Sequence, residues 1–151
     1  MTIILDENLP KPLKGIFPNH IVTTAYPETQ LMKPRIYLET TIPSYLTAWP
    51  SRDVVIAGHQ QTTREWWATC RERFDLFVSE FVLAEAAQGD LEAARLRLDT
   101  LRDIPDLPAS PRAEALSVAL IEDGAVPAVA RMDAAHIAIA AVHGMDFPVF
   151  S

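Results

Sequence analysis

Three acidic residues occupy positions in the chain that suit metal-dependent chemistry. Glu39 ends the short apolar segment 36–39, and the hydroxyl residue Thr40 follows it at once. Glu85 lies between apolar residues just after a second strand-like segment, and Asp133 lies in the first turn of the last predicted helix. Because ligands bind outside the carboxyl ends of parallel strands, we expect these three carboxylates to converge at one edge of a sheet.

Carboxylates brought together in a pocket repel each other, and a divalent cation relieves that cost. Carboxylate oxygens suit Mg²⁺ or Mn²⁺, whereas Zn²⁺ calls for histidine or cysteine ligands that this chain does not offer in a suitable grouping. Such an ion supports phosphodiester hydrolysis, because it lowers the pKa of a bound water and neutralises charge on the phosphate. The sequence therefore predicts Glu39, Glu85 and Asp133 as both metal ligands and catalytic residues.

Each of these residues also has a simpler interpretation. Glu85 could be solvated, as its neighbour Glu80 could, and Asp133 could be an acid that favours the start of a helix. His136 lies one turn after Asp133 and could orient a carboxylate or a water, although a packed histidine is as good an explanation. The pair Trp66–Trp67 could stack on bases, but its helical spacing favours the core or a partner interface.

Length and composition point to one globular domain. The chain has 151 residues, of which 49% are apolar and 22% charged, and a chain of this length can bury a substantial core. The net charge of -7 argues against a broad basic surface for nucleic acid, but not against an acidic site that first binds a cation. We predict a cytoplasmic protein for three reasons. Cys70 is the single cysteine, no apolar run is long enough for a membrane span, and the N-terminus has no basic leader.

The segments after residue 32 alternate between strand and helix. Strands are predicted at 36–39, at 75–79, within 104–111 and from 147, and helices at 53–74, at 80–87, after Asp90, from Ser110 to Gly124 and at about 131–143. This alternation predicts an α/β domain with three layers and a mainly parallel sheet. We place a domain boundary near residue 32, so that 1–31 form an N-terminal extension and 32–151 the main domain.

Three segments together resemble the PIN-domain ribonucleases, in particular the VapC-type toxins of bacterial toxin–antitoxin pairs. They are "RIYLETTIPSYL", "LFVSEFVLAEAAQGD" and "DAAHIAIAAVHGMD", and the resemblance covers residues 33–147. It implies a flavodoxin-like sandwich, Mg²⁺-dependent endoribonuclease activity on RNA, a homodimer and a cognate antitoxin that silences the enzyme. Glu39, Glu85 and Asp133 stand at the family's first three acidic positions, and Thr40 at its supporting hydroxyl.

Three features depart from that family's pattern. The first acid is usually aspartate, and Glu39 is one methylene longer. The family continues through a complete strand and a polar triplet with a fourth site residue, whereas this chain reads "DFPVFS" and stops. The extension 1–31 contains "IILDENLP", which ends its apolar run on Asp6 and resembles the start of another PIN-like family. We expect a fused N-terminal fragment and a shortened C-terminus.

Two other functions remain open at this point. A non-catalytic PIN module could act through dimerisation or antitoxin binding at an apolar helical surface, and the shortened C-terminus favours it. A phosphoryl-receiver domain shares the sheet topology and an acidic cluster, but it needs a lysine late in the chain. The lysines of this chain are Lys11, Lys14 and Lys33, so we rank this function last.

Overall fold

The structure, a computed structural model, describes residues 32–149. The strands are β1 (Arg35–Leu38), β2 (Asp75–Ser79), β3 (Asp106–Leu107) and β4 (Phe147–Val149), and the helices are α1 (Thr41–Thr47), α2 (Val54–Thr69), α3 (Glu80–Ala86), α4 (Leu91–Leu101), α5 (Pro111–Glu122) and α6 (Arg131–Val142). Within this part of the chain, no helix is both long and apolar enough to cross a membrane. The predicted extension 1–31, with Asp6, lies outside the described residues.

The four strands form one parallel sheet in the order β3-β2-β1-β4. Strand β1 lies inside this sheet between β2 and β4, and its residues Ile36, Tyr37 and Leu38 have at most 1% of their surface exposed. A parallel strand that is covered on both faces reads as a continuous apolar run, which is why "IYL" does not alternate with polar residues. The prediction of an α/β domain with a mainly parallel sheet is confirmed.

The order of the strands places helices on both faces of the sheet. The chain steps from β1 to β2 to β3 in one direction and then returns past β1 to reach β4. Because parallel crossovers are right-handed, α1 to α4 lie on one face and α5 and α6 on the other. The packing agrees, since α1 contacts α2 and α4, whereas α5 packs against α6. The predicted flavodoxin-like arrangement of three layers is confirmed.

Local signals in the sequence set the ends of most helices. The side chains of Asp53, Ser79, Asp90 and Ser110 accept hydrogen bonds from backbone N–H groups in the first turns of α2 to α5. This capping satisfies donors that a helix start otherwise leaves unpaired. Gly124, which we expected to end α5, has a φ of 71°, a conformation that glycine adopts without strain.

Two predicted boundaries differ from the structure. Strand β1 ends at Leu38 rather than at Glu39, because the carbonyl of Glu39 already accepts the N–H of Ile42 in the turn into α1 (3.2 Å). The helix predicted over 53–74 ends at Thr69 and is followed by a 3-10 turn at Arg71–Arg73. The apolar spacing extended to Phe74 because its ring packs beside Trp66, with centroids 5.9 Å apart.

Helix α4 offers a matched test of the core. Leu101 is 1% exposed and Leu91, on the same helix, is 87% exposed. We expect Leu101→Ala to lower the free energy of unfolding by about 3 kcal/mol, because it removes buried methyl groups and leaves a cavity. Leu91→Ala should change it by less than about 0.5 kcal/mol. Urea unfolding followed by circular dichroism measures both values, and equal values for the two variants would contradict this packing.

Candidate functional site

The centre of the candidate site follows strand β1. The chain leaves β1 at the carboxyl edge of the sheet and enters α1 through Glu39 and Thr40, which are both half-buried. The backbone carbonyl of Thr40 accepts the N–H of Ser44 (3.2 Å), so this residue belongs to the helix start. Because β1 lies between two neighbouring strands, these two side chains are placed at the middle of the edge where ligands bind in parallel sheets.

Glu85 reaches the same edge from α3. This helix starts directly after β2, where Ser79 accepts the N–H of Val82 (3.4 Å). Val82 and Ala86 are fully buried, and Glu85 lies three residues after the first and one before the second, so it shares their inward face. Its side chain is 28% exposed, whereas Glu80 on the same helix is exposed.

Helix α6 contributes His136 and Asp133 from the opposite layer. His136 is 2% exposed, and it is surrounded on its helix by the buried residues Ala134, Ala138 and Ile139. Asp133 lies three residues earlier on the same side of the helix and is exposed to solvent. The histidine therefore enters the protein interior, while the carboxylate stays at the surface one turn away.

Three of the predicted residues meet at one oxygen atom. The hydroxyl Oγ1 of Thr40 donates a hydrogen bond to Oε2 of Glu85. The Nε2 atom of His136 lies 3.3 Å from the same Oε2. The structure thus brings Thr40, Glu85 and His136 together from α1, α3 and α6, with both Thr40 and His136 beside one oxygen of the Glu85 carboxylate.

Two further residues support this cluster and were not predicted as part of the site. The hydroxyl of Tyr37 lies 2.7 Å from Nδ1 of His136 and 2.7 Å from Oγ of Ser79. The sequence pattern assigns neither residue to the site. A signal was present, because a tyrosine inside a buried strand needs a hydrogen-bond partner for its hydroxyl. Moreover, Tyr37 lies two residues before Glu39, and alternate residues of a strand face the same side.

The electrostatics of the site converge on the phenol of Tyr37. The pKa of Tyr37 is raised to about 12, mainly by burial and also by the negative charges of Glu85 and Glu39, against the hydrogen bond with Ser79, which lowers it. Removing a proton from a buried phenol beside two carboxylates would add a third negative charge in a poorly solvated place. Glu39 and Glu85 therefore both act on the same buried hydroxyl.

The residues fit a hard divalent cation in kind, but they do not form a closed metal site. Carboxylate and hydroxyl oxygens at the carboxyl edge of the sheet are the ligand types that Mg²⁺ and Mn²⁺ prefer. Over residues 32–149, however, no three histidine, cysteine, aspartate or glutamate side chains lie close enough together to hold one ion. The structure therefore does not bring Glu39, Glu85 and Asp133 into a single group, and one oxygen of Glu85 already has two partners.

The raised pKa of Tyr37 predicts a specific loss of stability at high pH. Since the folded state keeps this proton up to about pH 12 and the ordinary pKa is 10, the contribution of the neutral phenol is complete below pH 10 and is lost as the pH rises to 12. Above pH 10 we expect the wild type to lose roughly 1 kcal/mol more per pH unit than Tyr37→Phe. Urea unfolding at several pH values measures this difference, Tyr45→Phe is the control, and parallel curves for wild type and Tyr37→Phe would contradict it.

Comparison of the chain with protein-family models, with curated proteins and with solved structures gives no match. The arrangement of Glu39, Thr40, Glu85 and His136 at the carboxyl edge, with Asp133 one turn from His136, is therefore the basis on which a function is proposed.

Proposed function

We propose that this protein is a divalent-metal-dependent endoribonuclease of the PIN-domain type, which acts in the cytoplasm as the toxin of a toxin–antitoxin pair. The observation that carries this proposal is the convergence of Thr40 and His136 on the carboxylate of Glu85, next to Glu39 at the carboxyl edge of the sheet. A carboxylate that is only solvated at the surface does not need two partners on one oxygen. A carboxylate that binds a metal ion does need such partners, because they fix the position of its ligand oxygen.

In this proposal, Glu39, Glu85 and Asp133 supply the oxygen ligands of Mg²⁺ or Mn²⁺. Thr40 and His136 orient Glu85 and do not bind the ion themselves. When bound, the ion supplies charge neutralisation at the phosphate and a water of lowered pKa. The chain's own contribution is to fix the carboxylates at the place where the RNA backbone passes.

Charge supports the need for a cation at this site. The protein has a net charge of -7, and the edge of the sheet presents two glutamates to a polyanionic substrate. RNA phosphates are repelled from such an edge until a dication reverses the local sign. This is the pattern expected for a nuclease that binds its metal before its substrate.

Asp133 is the ligand that must move most. It is exposed on the first turn of α6, so its rotamer can change without disturbing the packing of the helix. Residues three apart on a helix have Cβ atoms about 5–6 Å apart, which places its backbone near that of His136. We propose that metal binding draws the Asp133 carboxylate toward Glu85, and that the site closes only then.

A second candidate function is a non-catalytic module that acts through protein contacts, either as a homodimer or with an antitoxin. Two observations favour it: the lack of a closed group of metal ligands over residues 32–149, and an apolar surface around the start of α2. Trp49 is 91% exposed, Val54 is 84% exposed and Val55 is 67% exposed. Large apolar residues that are exposed in one short stretch are typical of interaction surfaces.

The nuclease proposal predicts the loss of two measurable activities together. Glu85→Gln and Asp133→Asn keep the side-chain shape but remove a charged ligand, so we expect at least about a 100-fold loss of Mn²⁺-dependent RNA cleavage and of Mn²⁺ affinity. Glu80→Gln, on the exposed side of the same helix as Glu85, is the matched control and should cleave like the wild type. The assays are cleavage of a labelled RNA pool and isothermal titration with Mn²⁺. A wild-type protein that binds no Mn²⁺ and cleaves no RNA would refute the proposal.

The second function makes a different prediction, which concerns assembly. If the apolar stretch is an interface, Val55→Asp should shift a dimer or a complex with a co-expressed antitoxin toward the monomer, because it places a charge in a contact that excludes water. Val129→Asp, at a residue that is 95% exposed outside this stretch, is the control. Light scattering after gel filtration measures the mass, and a wild-type protein that is monomeric and binds no antitoxin would exclude this function.

A further inference from the structure

Polar side chains in contact with one another lead from the interior of the protein to Glu85. The series passes from Ser79 through the Tyr37 hydroxyl to Nδ1 of His136, and from Nε2 of the same ring to Glu85. We propose that Tyr37 is a positioning residue, which keeps His136 in the tautomer protonated on Nε2 and so directs an N–H donor at the Glu85 carboxylate. The consequence for metal binding rests on the proposed function, whereas the tautomer itself does not.

Counting protons along this series favours one direction for its hydrogen bonds. A carboxylate accepts hydrogen bonds and does not donate them, so the 3.3 Å contact between Nε2 of His136 and Glu85 is favourable only with the proton on Nε2. A neutral imidazole then has an unprotonated Nδ1, which accepts from the Tyr37 hydroxyl. That hydroxyl in turn accepts from Ser79, whose Oγ accepts the backbone N–H of Val82. Every contact in this assignment contains one proton.

The opposite direction leaves two contacts unsatisfied. If Nδ1 of His136 carried the proton, the lone pair of Nε2 would face Oε2 of Glu85 at 3.3 Å, and two acceptors would repel each other. The Tyr37 hydroxyl would then donate to Ser79, and the hydroxyl proton of Ser79 would need a further acceptor in the interior, where this residue is fully buried. A buried polar group without a partner costs roughly 1–3 kcal/mol.

A His136 ring with protons on both nitrogens also leaves the Ser79 hydroxyl proton without an acceptor, because of the proton on Nδ1. Its Nδ1–H would donate to Tyr37, which again turns the Tyr37 hydroxyl toward Ser79 and leaves the Ser79 proton over. Tyr37, Ser79 and His136 are at most 2% exposed, so water cannot accept a hydrogen bond from the unpaired Ser79 hydroxyl.

This series of polar side chains also explains how rigid elements orient the carboxylate of Glu85. Tyr37 is held in β1, Ser79 ends β2 and His136 lies on α6, so the donor that meets Glu85 is set by the sheet and by a helix of the opposite layer. Hydrogen bonds in such a poorly solvated place are stronger than in water. Thr40 supplies the second donor from α1. The carboxylate is thus oriented before any ligand arrives, which lowers the cost of binding.

The test is the ¹⁵N NMR spectrum of the histidine rings in the full chain, without metal or RNA. The sequence has four histidines, and the His136 signals are identified by their loss in His136→Gln. In the wild type we expect Nε2 to carry the proton and Nδ1 to be unprotonated. In Tyr37→Phe the hydroxyl that donates to Nδ1 is lost, so the ¹⁵N shift of Nδ1 should move toward that of a ring nitrogen without a hydrogen bond, while the Glu85 carboxylate still favours the proton on Nε2.

Two further variants keep the test decisive. Ser79→Ala removes the group on the other side of the hydroxyl and should leave the His136 tautomer unchanged, since Tyr37 already donates to the ring. If Tyr37→Phe does not fold, the position of the proton in the wild-type ring decides the test. Tyr45→Phe is the matched control. A wild-type His136 protonated on Nδ1 or on both nitrogens, or a Tyr37→Phe spectrum like that of the wild type, would overturn the proposal.

A separate titration with Mn²⁺ tests the consequence for the site. If Glu85 is a ligand, Tyr37→Phe should weaken Mn²⁺ binding by about tenfold, as is typical for residues that orient a ligand, while Tyr45→Phe should not. A wild type with the expected tautomer that binds no Mn²⁺ would refute the metal site and leave the role of Tyr37 toward His136 standing. Unchanged Mn²⁺ affinity in Tyr37→Phe, beside normal binding by the wild type, would refute that role in metal binding.

Discussion

The structure depends on a hydroxyl group placed inside its most buried strand. Strand β1 is covered on both faces and flanked on both edges, so Tyr37 cannot reach water. A buried phenol costs stability unless its hydroxyl is paired, and pairing requires polar side chains from elsewhere in the fold. Ser79 and His136 provide them from β2 and α6. One polar atom at the centre of the sheet thus fixes the relative positions of a neighbouring strand and of a helix in the opposite layer.

The pairing of Tyr37 also affects Glu85 at the edge of the sheet, because His136 contacts both residues. Because one ring nitrogen is occupied by Tyr37, the other is aimed at Glu85. Helix α3 is short, and its inward face offers Val82 and Ala86 to the core. Packing therefore places the backbone of Glu85, while Thr40 and His136 place its carboxylate. The raised pKa of Tyr37 reflects the same arrangement, since burial and two nearby carboxylates oppose its ionisation.

Much of the fold could be predicted because its signals are local. The apolar run at 36–38, the capping residues before α2 to α5 and Gly124 after α5 each act through the neighbouring backbone, and the alternation of elements implies a parallel sheet. The role of Tyr37 could not be predicted in the same way. It depends on a partner 99 residues away, and neither the spacing of the strand nor that of the helix reveals which residues meet. For the same reason, the sequence predicts that three acids lie at one edge of the sheet, but it does not predict the distances between them.

The arrangement of the acids bears on how a cation could be bound. If the carboxylates were packed together without a cation, their mutual repulsion would lower the stability of the metal-free protein. Here the Glu85 carboxylate accepts a hydrogen bond from Thr40 and lies 3.3 Å from Nε2 of His136, while Asp133 remains in solvent, where its charge is well hydrated. Because no three acidic or histidine side chains within residues 32–149 form one metal-binding group, a cation that gathers the three acids must supply the free energy that brings them together.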